Sequence, residues 1–198
     1  VMLGNWEHHR GQDWREHVRA WLPDDLDAWV IQRERQDPVE YAAMWLRDGG
    51  AAPERDEIAF NARLGAWIDF AARGVEAVGM GYLVLHCPAL DDRRRRPWRV
   101  LEEVSTVPPG PLGGHVAQVL AARSRLAGMS DDDVAALHPV VAPDVTQERH
   151  LRPGASDPTV ILIRQGGGLG RVVRADTALA ALVDVADGEL SVAQIAAA

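Results

Sequence analysis

Glu7, His8 and His9 are consecutive, and His17 follows shortly after. Carboxylate and imidazole are both zinc ligands, so this run raises the question of a metal centre. Adjacent residues diverge on a strand or a helix, so His8 and His9 do not readily hold one ion together. The HExxH helix pattern and a Cys pair are both missing, and no metal site is expected. Cys87 is the only cysteine and Pro88 follows it. With no histidine partner to nominate, it reads as a small buried hydrophobe rather than a nucleophile. Asp131, Asp132 and Asp133 suggest either a cation site or an acidic first turn behind a Ser130 cap. The second fits better, because no loop of alternating oxygen ligands follows. Gly166, Gly167, Gly168 and Gly170 look at first like a phosphate loop. Their spacing does not satisfy GxGxxG, no Lys-Ser/Thr follows, and a strand comes next, so a hairpin or wing is expected. Arg93 to Arg96 could touch nucleic acid, but Asp91, Asp92, Glu102 and Glu103 flank the run as in a solvated linker.

These residues must be held by elements, and the first half reads as alternating strands and helices. Val1 to Leu3 reads as the end of a buried strand closed by Gly4-Asn5. Asp13 to Leu22 places Trp14, Val18, Trp21 and Leu22 on one helical face, stopped by Pro23. Leu26 to Gln32 is a short, mostly apolar strand of the type buried on both faces. Asp37-Pro38-Val39-Glu40 is a helix start, with Asp37 as cap, Pro38 in the first turn and Glu40 able to reach back. Asp56 to Arg73 groups Phe60, Leu64, Trp67 and Ile68 and stops at Gly74. Glu76 to Cys87 is a long strand in which Gly79 and Gly81 signal a bend or a close backbone approach.

Strand, helix, strand, two helices, strand is the pattern of the C-terminal half of a doubly wound α/β sheet. GNWEHHRGQDWREHVRAWL, DAWVIQRERQDPVEYAAMWLRD and VGMGYLVLHCP resemble the last three strands of class I S-adenosylmethionine-dependent methyltransferases. The resemblance is to an actinobacterial group of HemK-like or "small methyltransferase" proteins that carry an extra C-terminal domain. It implies that the long strand lies antiparallel between its neighbours. It also implies methyl transfer from S-adenosylmethionine to a nitrogen of a protein or RNA. The Gly-rich cofactor loop, the acidic residue after the second strand and the Asn-Pro-Pro-Tyr/Phe motif of that family do not occur here. The cofactor-binding half is then expected upstream of Val1, and the sheet edge left open is expected to pair with it or with another copy. Ligands sit beyond the carboxyl ends of strands in such sheets. That makes Asn5, Trp6, His8, Gln32, Arg33 and Glu34 the substrate-side candidates, against a reading of them as turn, packing and surface residues. No catalytic residue can be named.

A composition shift divides the chain. All seven Trp, both Phe and both Tyr lie at or before Trp98. A charged and Pro/Gly-rich stretch at 91–111 reads as a linker. The expected organisation is a methyltransferase half-domain at 1–90 and a small α+β, winged-helix-like domain at 112–198. The latter comprises helices at Gly114 to Ala127 and after Ser130, two strands (TVILIRQ and RVVRAD), an Ala/Leu helix from Asp176 to Val185, and a last helix opened by Ser191. Arg164, Arg171 and Arg174 cluster on the hairpin as possible nucleic-acid contacts. From Leu112 onward, however, seven Arg face ten acids, the wrong sign for a duplex-binding domain. A non-catalytic nucleic-acid- or protein-binding module is the alternative function.

The chain as a whole carries a formal charge of −8, which opposes non-specific nucleic-acid binding by its surface. Every one of its 21 basic residues is Arg. No apolar run reaches the ~18 residues of a membrane span, and nothing resembles a signal peptide. With one cysteine this fits a cytoplasmic protein.

Overall fold

The computed structural model describes residues 1–66, 69–88 and 96–197. It is a mixed α/β structure in two compact units. The first comprises Val1–Pro88 and Pro97–Ser105, and the second takes in Thr106 onward.

The first unit is built on β1 (Met2–His9), β2 (Asp27–Gln36), β3 (Val75–His86) and β4 (Arg99–Glu103), ordered β1-β3-β2-β4. β3 is antiparallel to both β1 and β2, while β4 runs parallel to β2. β1 and β2 are therefore parallel to each other with β3 inserted between them. α1 (Trp14–Arg19) connects β1 to β2, and α2 (Pro38–Asp48), α3 (Glu57–Ala66) and α4 (Asp69–Ala72) connect β2 to β3.

The helices start where side chains satisfy their first N–H groups. Asp13 accepts from Arg15 N, and Asp37 accepts from Val39 N at 2.7 Å and Glu40 N at 3.1 Å. Glu40 thus contributes its N–H to this cap. The helix expected over 56–73 is present as α3 and α4. Trp67 and Ile68, assigned to its apolar face, lie outside the described residues, as do 89–95, which include most of the four-Arg run. One apolar layer, Trp6, Trp14, Val18, Leu22, Ala28, Val30 and Leu101, packs α1 on one sheet face. Tyr41, Phe70, Val75 and Val78 form the layer on the other. β2 has helices over both faces, which accounts for its nearly unbroken apolar run.

Three sequence expectations are corrected here. The first strand does not close at Gly4-Asn5 but continues to His9, and Val1, Met2 and Leu3 are exposed, at 80%, 56% and 80%. Gly4 is a strand residue opposite Gly81, where the Leu83 side chain occupies the space a Cβ would need. The segment expected as linker contains β4, because its apolar Val100 and Leu101 complete the sheet beside β2. Cys87 is exposed rather than buried, since it follows the end of β3.

The second unit contains α5 (Gly113–Ala127), α6 (Asp131–Ala135), β5 (Val145–Leu151), β6 (Pro158–Gln165), β7 (Val172–Ala175), α7 (Thr177–Val185) and α8 (Val192–Ala197). Its strands form an antiparallel sheet ordered β5-β6-β7. The expected hairpin is β6–β7, and β5 is an addition from the polar stretch VTQERHL. The Gly-rich turn does not project as a free wing. Leu169 at its tip is 1% exposed, and its carbonyl accepts from Thr106 Oγ1 at 2.7 Å. Gly168 at φ 55° lies against the His115 ring, where any Cβ would collide. Ser130 and Asp133 form a reciprocal capping box on α6, and Ser191 with Gln194 does the same for α8.

Candidate functional site

The substrate-side candidates divide by strand geometry. Alternation puts Trp6 and His8 on the α1 face of β1 and Asn5 and Glu7 on the other. Trp6 and His8 meet Gln32 of β2, which reaches across β3. The Trp6 indole N–H donates to Gln32 Oε1 at 2.8 Å, and His8 Nε2 lies 2.8 Å from the same oxygen. An amide oxygen only accepts, so His8 carries its proton on Nε2. Trp6, His8 and Gln32 are 2%, 8% and 4% exposed. Gly79 makes room for them, as a Cβ there would strike Gln32 Oε1 and Trp6 Nε1 and lie 2.8 Å from His8 Nε2. The close approach expected at Gly79 is thus met by side chains, and that at Gly81 by the Ile31 carbonyl of β2.

Trp14 stacks on both Trp6 and His8, with centroids 5.3 and 5.9 Å away, and donates its own N–H to Glu103 Oε1 at 2.8 Å. This cluster ties β1, β2 and α1 together, with Trp14 joining β4.

Arg33 is the extra residue of a bulge, since Gln32 pairs with Gly81 and Glu34 with Met80. Its guanidinium donates to the Val104 carbonyl. Glu34 accepts from Gln36 at 2.7 Å. These residues were expected in a loop beyond a strand end at Gln32. β2 instead continues to Gln36, and Arg33 and Glu34 lie within it.

Asn5 faces a cavity of about 390 Å³ beside β1, which is also lined by Trp6, His17, Trp21, Tyr41 and Phe70. At one side of this cavity Arg73 bridges both carboxylate oxygens of Glu7, at 2.7 and 2.9 Å. His9 lies 3.3 Å from the same carboxylate. His17 stands edge-on between His9 and Trp21. The cavity lies towards the carboxyl end of β1. Tyr41, Phe70 and Arg73 could not be assigned to it from sequence, since they come from α2 and from around α4.

A second polar site escaped the sequence reading. Asp27 is fully buried at the start of β2, accepts the Trp98 N–H at 3.1 Å, and lies 3.0 Å from His86 Nδ1. The available signal was a carboxylate within the apolar run LDAWVIQ. Among the described residues, no group of three or more His, Cys, Asp or Glu could hold a metal ion. In the second unit, Arg164 binds Glu148 at 2.7 Å. That bond chiefly holds the Glu148 carboxyl below the usual range and the Arg164 guanidinium above its own. Arg174 is exposed beside a shallow pocket with Thr159 and Thr177, and Arg171 is half-buried. Among the described residues, no helix is long and apolar enough to cross a membrane. No family model matches the chain, nor does any curated protein or any solved structure.

Proposed function

We propose that this chain is part of an S-adenosylmethionine-dependent methyltransferase that acts on a nitrogen of a protein or RNA substrate. The first unit would supply the last three strands of the catalytic sheet. One observation carries the reading: the long strand β3 lies antiparallel between the parallel strands β1 and β2. That is the arrangement implied by the resemblance of the same three segments.

The residues present do not fit the cofactor itself. In the family that the first unit resembles, the cofactor is held by a Gly-rich loop after the first strand and an acidic residue after the second. The one Gly-rich segment here joins two strands, and Leu169 within it is buried. The cofactor-binding residues therefore belong upstream of Val1 on this reading, and β1, an edge strand among those described, is where that half would add. The test is calorimetric titration of S-adenosylmethionine. The 198-residue chain should give no binding heat, and a polypeptide with the Gly-rich loop and Asn-Pro-Pro motif ahead of Val1 should bind in the micromolar range. Micromolar binding to the chain alone, or an upstream sequence without those motifs, would sink the proposal.

For the second unit, a protein contact is favoured over nucleic acid. Leu179, Leu182, Val185 and Leu190 are each about 40% exposed, while Arg164 is neutralised by Glu148. Anisotropy of a labelled duplex at low salt should show no salt-sensitive binding; a steep salt dependence would reverse the preference.

A further inference from the structure

We propose that the cavity beside β1 binds a planar nitrogen heteroaromatic ring of the nucleobase class. Three observations select that chemistry. The first is stacking surface. The Trp21 indole is 50% exposed at the cavity, and its orientation is supported by His17 packed edge-on 4.9 Å away. Tyr41, Phe70 and Trp6 also line the cavity, but they are 8%, 9% and 2% exposed and packed against Phe70, Arg73 and Trp14, so Trp21 is the stacking face. A flat π-system gains most from such a lining, and every base has a π-face to offer.

The second is charge. Among the described residues, Glu7 and Arg73 are the Asp, Glu or Arg side chains of the lining, and they are joined by two short contacts. A cationic ligand would have to take Glu7 from Arg73, and an anionic one would have to take Arg73 from Glu7. A neutral ligand costs neither.

The third is hydrogen-bonding capacity. The exposed Asn5 side chain lines the cavity and has no hydrogen-bond partner among the described residues. A carboxamide offers a donor and an acceptor side by side, which matches the paired edge groups of a base. The volume, about 390 Å³, falls in the range of small-ligand sites and admits a ring system with its sugar.

The inference concerns the chain as given and does not rest on methyl transfer; on the reading above, the half added at the β1 edge would border this cavity. Its test uses the chain itself and leaves out S-adenosylmethionine, so its failure is distinguishable from failure of the reading above. Calorimetry with adenosine, guanosine, cytidine and uridine should show saturable binding by at least one of them. Trp21→Ala should weaken it by about tenfold, the order of one lost stacking partner. Trp21→Phe should retain most of the affinity and Asn5→Ala should reduce discrimination among the bases. Both positions are exposed, and near-UV circular dichroism checks that the variants stay folded. A six-nucleotide RNA that binds at least about tenfold tighter than any nucleoside would mark nucleic acid as the source of the base; equal affinity would mark a free nucleoside. The proposal is overturned if no nucleoside saturates below millimolar concentration. It is also overturned if Trp21→Ala leaves binding unchanged, or if N-acetyltryptophanamide binds as tightly as the best nucleoside.

Discussion

Replacing Gln32 by leucine tests whether the buried Trp6–His8–Gln32 cluster organises the first unit. Leucine is close to glutamine in size, so the change creates little cavity and isolates the hydrogen-bonding effect. Two donors, the Trp6 indole N–H and the His8 Nε2–H, lose a common acceptor at 2.8 Å in a region 2–8% exposed. An unsatisfied buried donor costs about 1–3 kcal/mol. Both donors share one oxygen and relax together, so about 3 kcal/mol is expected rather than the full sum. For a unit of about a hundred residues that lowers the Tm of its transition by about 12–24 °C. Thermal unfolding followed by near-UV circular dichroism is suited to the measurement, because Trp6 and Trp14 stack at this site. A double-mutant cycle with His8→Phe separates the polar contribution from packing. Once the imidazole is gone, Gln32→Leu leaves one donor stranded instead of two, and the pair should be less destabilising than the sum by about 1 kcal/mol. A Gln32→Leu protein within 0.5 kcal/mol of the parent, or strictly additive variants, would refute the cluster as an organising contact.

Gly81→Ala should destabilise the first unit by at least about 2 kcal/mol in urea unfolding, because its Cβ would enter the Ile31 carbonyl, which cannot swing away as a side chain can. Leu169→Ala should cost about 2–5 kcal/mol, since Leu169 is, among the described residues of the second unit, the one large side chain that is fully buried, and hydrogen exchange should report the loss in β5–β7. In α6 the Ser130 hydroxyl, followed by the Ser130 backbone N–H, holds the Asp133 carboxyl below its ordinary value. A depressed carboxylate stabilises above its unfolded value and stops doing so as pH falls through the folded one. Ser130→Ala should therefore move the Asp133 titration upward in carbon-detected NMR and shrink the acid fraying of α6.

The elements that were legible from sequence are those whose signal is local. Asp37-Pro38, Ser130 and Asp176 mark helix starts because each side chain serves N–H groups two or three residues on. β2 was legible because burial on both faces leaves a continuous apolar run. β5 was not, since VTQERHL has both faces partly wet and lacks the alternation that marks a half-buried strand. β4 was hidden by its setting, for Arg99, Glu102 and Glu103 read as a charged linker. In place, the carboxylates of Glu102 and Glu103 receive the indole N–H groups of Trp29 and Trp14. Those partners lie about seventy and ninety residues away, and no local pattern announces them.

The same distinction governs the site. Asn5, Trp6, His8 and Gln32 were singled out as loop residues at strand ends, yet they are strand residues whose roles follow from alternation and register. Trp6 and His8 point to one face and become core, with Trp6 also reaching the cavity; Asn5 points to the other face and is exposed at it. A one-residue change in where β1 begins would exchange those roles, because the side-chain period of a strand is two. Gly79 and Gly81 make the register costly to change. One leaves room for the Gln32 amide, the other lets β2 bulge at Arg33 against its backbone, and neither slot accepts a Cβ. The two glycines of VGMGYL, read from sequence as a bend or a close approach, thus fix the register that leaves Asn5 at the cavity beside β1 and His8 in the core.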